Sequence, residues 1–126
     1  MYLLDTDILI WILRGRQDIV NNISKLKDNS PIALSVITIA EIYMNIFPSE
    51  LVNTEEHLNQ YIILEVDQKI AKMAGLYHQQ FGKGLKNLTL TDCLIAATAN
   101  ANNTTLVSLN IKHFPMKDIR LLNPVA

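Results

Sequence analysis

Short apolar runs alternating with amphipathic stretches predict an α/β fold. The expected form is a three-layer α/β/α sandwich around a mostly parallel sheet of about five strands. Three observations carry this expectation. The runs at residues 1–5, 32–36, 61–66 and 104–109 are short and nearly continuous in apolar character, as buried strands are. The segments between them repeat apolar residues at helical spacing. Asp, Thr, Asn and Ser stand at the junctions, where caps and turns use them.

In chain order, residues 1–5 read as a buried strand. Asp5-Thr6-Asp7 then supplies N-cap chemistry for an apolar helix over 8–13, stopped at Gly15. Residues 18–27 form an amphipathic helix with Ile19, Ile23 and Leu26 on one face. Asn29-Ser30-Pro31 is a turn, and 32–36 is the second strand. Thr38 opens a helix that runs to about Phe47, where Pro48 ends it. Residues 51–60 carry a less regular helical pattern, and 61–66 a third strand. Asp67 caps an amphipathic helix with Ile70, Met73, Ala74, Tyr77 and Phe81 on one face, ended by Gly82-Lys83-Gly84. After a loop over 83–90, Thr91 caps a helix rich in small residues through about Ala101. Residues 104–109 are another strand and 119–122 a last short one.

The 126 residues fit one domain spanning 1–126. Hydrophobic residues at 49% and charged residues at 18% suit a globular protein and argue against disorder. The single cysteine, Cys93, cannot form an internal disulfide, which fits a reducing compartment. Asp5 and Asp7 interrupt the apolar start, so no secretory signal is expected. The run over 8–13 is far short of the roughly 18 residues of a membrane span. A cytoplasmic location with no membrane contact follows. A net charge of −1 counts against a protein that grips nucleic acid by bulk charge alone.

Three acids occupy comparable places. Asp5 ends the first strand, Glu41 lies in the first turn of the helix after the second, and Asp92 opens the helix before the last major strand. Ligands of open parallel sheets bind outside the carboxyl ends of strands, so these acids can meet in one cleft. Converging carboxylates repel unless a cation lies between them. Hard oxygen donors with room for water suit Mg²⁺ or Mn²⁺, whose chemistry is that of phosphodiester hydrolysis. Each acid alone also has a plain reading. Asp5 and Asp7 can cap a helix, Thr38-Ile39-Ala40-Glu41 is a capping box, and Asp92 favours a helix dipole.

Four segments together give a resemblance. They are Tyr2-Leu3-Leu4-Asp5-Thr6-Asp7-Ile8-Leu9-Ile10, Ser35-Val36-Ile37-Thr38-Ile39-Ala40-Glu41-Ile42, Thr91-Asp92-Cys93-Leu94-Ile95-Ala96-Ala97-Thr98-Ala99, and Thr105-Leu106-Val107-Ser108-Leu109-Asn110-Ile111-Lys112-His113-Phe114. In this order and spacing they resemble the PIN-domain family, and within it the VapC-type toxins of bacterial toxin–antitoxin pairs. The likeness covers nearly the whole chain. It implies a five-stranded, mostly parallel sheet and a Mg²⁺- or Mn²⁺-dependent endoribonuclease cutting structured RNA such as tRNA or rRNA. It further implies inhibition by a cognate antitoxin and a homodimer. It places the metal-holding acids at Asp5, Glu41 and Asp92, and a polar pair at Ser108 and Asn110, with Asn110 catalytic. Thr6, Ser108, Lys86, Lys112 and His113 are the residues expected to contact substrate. Many members carry a fourth acid where this chain has His113, so one firmly held ion is expected. His113 itself then reads first as a tolerated surface residue. Asp7 stands where a neutral Asn is common, and a cap is its simplest role.

Other residues have plainer readings. Lys83 and Lys86, and Lys112, Lys117 and Arg120, can line an RNA path or simply face solvent, as can Arg14 and Arg16. His57 and His78 read as surface residues, Trp11 and Tyr43 as core packing, and Cys93 as a small buried hydrophobe. Three rivals remain: a housekeeping RNA-processing nuclease, a degenerate PIN module that binds without cutting, and a phospho-acceptor receiver domain using Asp67 at the end of the 61–66 strand.

Overall fold

The structure, a computed structural model, describes residues 1–84 and 88–126. Five strands form one sheet: β1 (Tyr2–Leu4), β2 (Ile32–Ser35), β3 (Ile62–Leu64), β4 (Thr105–Val107) and β5 (Arg120–Leu122). Their spatial order is β3-β2-β1-β4-β5, and every pairing is parallel. Six α-helices accompany them: α1 (Thr6–Leu13), α2 (Gln17–Asn29), α3 (Val36–Asn45), α4 (Leu51–Leu58), α5 (Gln68–Phe81) and α6 (Leu90–Ala101). The α/β sandwich expected from the sequence is the observed architecture.

The alternation of side chains along each strand builds two cores. Leu3, Ala33 and Leu106 face α5 and α6, where they meet Ile70, Ala74, Ile95 and Ala96. The neighbouring Leu4, Leu34 and Val107 face the other way, toward Ile8, Leu9, Ile19 and Ile23 of α1 and α2. Burial on both faces explains why these strands lack a polar alternation. The small residues of α6 have the same cause: Cys93, Ala96, Ala97, Thr98 and Ala99 are all buried, and bulkier groups would hold the helix off the sheet.

Several boundaries differ from the expected ones. Helix α3 starts at Val36, not Thr38, because Ser35 Oγ accepts from the Ile37 amide at 3.0 Å and caps it. Glu41 therefore lies in the second turn of α3, and no capping box joins it to Thr38. Helix α6 starts at Leu90 under a Thr89 cap, and Thr91 lies inside it. The signal was present, since Thr89 and Asp92 are three apart and form a reciprocal capping box. Asp67 caps α5, its Oδ1 accepting from Ile70 N at 2.8 Å, and β3 is an edge strand. The receiver-domain rival thus loses its acceptor aspartate. Gly15 ends the first helical segment with a φ of +78°, a backbone state that a side chain would strain.

Trp11 is not a core residue. It is 37% exposed, with the Arg16 and Arg14 guanidinium groups 5.4 and 5.8 Å from its ring centroid. Tyr43 does pack, partly buried, against the α1/α2 core. His78 is exposed, whereas His57 is half-buried and hydrogen-bonds the Tyr61 hydroxyl at 2.7 Å. Cys93 is fully buried, and desolvation with the nearby Asp92 charge pushes its thiol up to about 11. Among the described residues no helix is long and apolar enough to cross a membrane.

Two outcomes follow. Leu106→Ala, in the interior strand β4, should cost about 2–5 kcal/mol in chemical denaturation, as deletions of fully buried leucines do. Cys93 should resist a thiol-labelling reagent in the native protein at pH 8 and react fully once the chain is unfolded.

Candidate active site at the carboxyl edge of the sheet

The chain builds outward from β1 to β2 and β3, then returns to the other side of β1 with β4 and β5. The winding reverses between β1 and β4, which opens a crevice at their carboxyl ends. Asp5 follows β1 and Ser108 follows β4 at this point. Both are buried, Ser108 completely.

Asp5 caps α1: its Oδ1 accepts from the Thr6 amide at 2.9 Å. Its Oδ2 accepts from the Ser108 hydroxyl at 2.8 Å. Ser108 Oγ in turn accepts from the Asn110 amide at 3.1 Å. The expectation that Ser108 touches substrate gives way to this: a fully buried hydroxyl orients Asp5. Thr6 is committed likewise. Its hydroxyl donates to Glu41 Oε1 at 2.7 Å and lies 3.1 Å from Thr38 Oγ1. One residue past Asp5, the chain thus reaches across to α3 and fixes Glu41.

Asp92 is held from two sides. Thr89 contributes its amide at 3.0 Å and its hydroxyl at 2.9 Å, both to Oδ2. His113 Nε2 lies 3.0 Å from the same oxygen. His113 is thus a partly buried partner of Asp92, not a free surface residue. Asp7, read from sequence as a cap, leaves that role to Asp5. It is half-buried, its Oδ2 accepts from the Leu109 amide at 3.3 Å, and its Oδ1 is buried with no hydrogen-bond partner. Asn110 and Lys112 are exposed on the same loop. Arg120, by contrast, is engaged with the Asn103 carbonyl at 2.8 Å. Lys86 lies outside the described residues.

The acids disturb one another. Burial, then the charge of Asp7 and more weakly that of Asp92, pushes the Asp5 carboxyl up to about 7 against the pull of Ser108 and Thr6. Burial also raises Asp7, with Asp92 adding to it. Asp5, Asp7 and Asp92 therefore share one electrostatic environment, and Glu41 is tied to the end of β1 by its hydrogen bond from Thr6.

Such a set fits a hard divalent cation. Every donor is oxygen, the carboxylates repel one another, and a buried Asp7 oxygen lacks a partner. Among the described residues no group of three or more Asp, Glu, His or Cys side chains is arranged to hold a metal ion, so a cation here would rest on one or two carboxylates with water completing its shell, as Mg²⁺ allows.

The chain belongs to the PIN-domain family, whose model matches residues 2–118. Within that family its likeness is to VapC ribonucleases. It is 31% identical to "Ribonuclease VapC10" of Mycobacterium tuberculosis over 116 residues, covering 92% of this chain and 87% of the relative. It is 30% identical to "Ribonuclease VapC19" of the same organism, covering 92% and 94%. Among solved structures, VapBC2 from Rickettsia felis bound to a DNA fragment from its promoter superposes with a TM-score of 0.83, at 28% identity and 97% coverage of each chain.

The electrostatics set a pH dependence. Folded Asp5 keeps its proton to about pH 7, while the unfolded chain releases it near 3.8. The folded state binds more protons between these values, so stability falls as pH rises through them and levels off above. Thermal melts in EDTA should show this decline. Asp5→Asn should flatten it and melt higher than wild type at pH 8. Ser108→Ala leaves a buried carboxylate oxygen unpaired and should cost about 1–3 kcal/mol.

Proposed function

We propose that the protein is a Mg²⁺-dependent endoribonuclease, with Mn²⁺ able to substitute. It acts as the toxin of a toxin–antitoxin pair and cleaves structured RNA of the tRNA or rRNA class. The observation that carries the reading is the acid cluster at the β1/β4 crevice. Its buried member, Asp5, is raised to about 7 and hydrogen-bonded by Ser108. Acids so placed are costly without a ligand to offset them.

In this reading Asp5, Glu41 and Asp92 hold the cation, directly or through water. The cation when bound supplies Lewis-acid chemistry, acidifying water and offsetting phosphoryl charge. Thr6 keeps Glu41 in place and Ser108 keeps Asp5 in place. Asn110 and Lys112, exposed on the loop after β4, meet the RNA, and Lys86 is assigned the same role from sequence. The protein acts in the cytoplasm as a homodimer.

The antitoxin reading has its own support. A cavity of about 550 Å³ opens between α1, α3 and α4, lined by Ile10, Leu13, Ile42, Ile46 and Phe47 with Glu41 and Glu50. Phe47 is 71% exposed, and Met44 on α3 is 74% exposed. An apolar antitoxin segment carrying a basic residue suits such a groove, and would reach Glu41 from outside the cleft.

The first test incubates purified, partner-free protein with total cellular RNA under Mg²⁺, Mn²⁺ or EDTA. Wild type should give discrete fragments only with metal, and Asp5→Asn, Glu41→Gln and Asp92→Asn should each slow cleavage about a hundredfold or more. Fragments should carry 5′-phosphate and 3′-hydroxyl ends; 2′,3′-cyclic phosphates would overturn the hydrolytic reading. Phe47→Asp should abolish copurification with the antitoxin while leaving cleavage intact.

A further inference from the structure

One short loop touches three of the four clustered acids. From the end of β4, Ser108 donates to Asp5, the Leu109 amide to Asp7, and His113 reaches Asp92. The loop is braced internally: Ser108 Oγ accepts from Asn110 N at 3.1 Å, and the Asn110 carbonyl accepts from His113 N at 3.0 Å. A continuous chain of hydrogen bonds therefore runs from Asp5 through Ser108, Asn110 and His113 to Asp92, joining the ends of β1 and α6.

We propose that His113 is a positioning residue that clamps Asp92 for cation binding, by hydrogen-bonding one carboxylate oxygen and leaving the other free. An ionised carboxylate only accepts, so the 3.0 Å contact requires a proton on His113 Nε2. The Thr89 amide and hydroxyl converge on the same Oδ2. Three donors thus saturate that oxygen, and Oδ1 has no hydrogen bond within the protein among the described residues. The imidazole is itself fixed. Its ring packs edge-on against Phe114 at 5.7 Å, Phe114 is buried, and the side chain is only 19% exposed. A rigid partner of this kind holds a ligating carboxylate in one rotamer, and losing such partners commonly weakens metal binding ten- to a hundredfold.

The inference rests on the reading of Asp92 as a cation-holding residue, and the test separates the two. Mn²⁺ binding would be titrated calorimetrically, without RNA, on wild type, His113→Phe, His113→Gln and Asp92→Asn. His113→Phe keeps an aromatic ring against Phe114 and removes the donor; His113→Gln keeps an N–H donor and removes the ring. We expect about tenfold or greater loss of Mn²⁺ affinity in H113F, recovery to within about threefold of wild type in H113Q, and a larger loss in D92N. Cleavage rates at fixed sub-saturating Mn²⁺ should follow the same order. If D92N binds as wild type does, the role assigned to Asp92 fails. If D92N loses affinity while H113F does not, or H113Q loses as much as H113F, the clamp fails. Thermal melts in EDTA confirm that each variant is folded; if H113F is not, His113→Leu, which also removes the donor, takes its place in the comparison with H113Q.

Discussion

The central place of β1 in the sheet is the constraint on which the rest depends. With β2 on one side and β4 on the other, β1 is fully paired and covered on both faces, so Leu3 and Leu4 are completely buried. The chain must leave its carboxyl end between two strand ends that lie close by. Asp5 stands there. It caps α1 with one oxygen and receives Ser108 from β4 with the other. The same residue thus begins a helix and binds two strand ends together, and its burial raises its pKa.

The remaining site residues are placed by what touches that point. Thr6, next to Asp5, ties α3 to the strand end through Glu41. The loop after β4 gathers Asp7 and Asp92. Most of these contacts are between residues far apart in sequence. Their energy comes from satisfying buried polar groups, which would otherwise be left without water or partner. The site is accordingly least relaxed where it is most acidic, at the unpartnered Asp7 oxygen and the raised Asp5 carboxyl. A fold otherwise well packed carries that tension where a charged ligand would relieve it.

The outer surface of the α1/α3 corner is of another kind. Trp11 lies under two guanidinium groups, and Phe47 and Met44 are largely exposed beside a cavity that Glu41 helps to line. Apolar groups of that size left in water are uncommon on a chain that works alone. Glu41 thus meets the end of β1 through Thr6 and lines the groove as well.

Much was legible in the sequence alone. The short continuous apolar runs that hold Leu3-Leu4 and Leu106-Val107, and the apolar face of Ile70, Ala74 and Tyr77, determine strands and helix directly, because burial on both faces of the sheet and on one face of a helix leaves these local patterns. The order of the acids, read with the family likeness, put forward Asp5, Glu41 and Asp92 as candidates. What sequence did not determine was which side chains speak to which. Thr38 looked like a cap, yet it lies inside α3 against Thr6, because Ser35, the last residue of β2, caps the helix by accepting from the Ile37 amide. Asp7 looked like a cap, yet Asp5 holds that place. His113 looked dispensable until α6 brought Asp92 within 3.0 Å of it. Periodicity and capping are properties of neighbours along the chain. Pairing a buried acid with a donor up to 103 residues away depends on how the strands are ordered, and only the tertiary structure decides that.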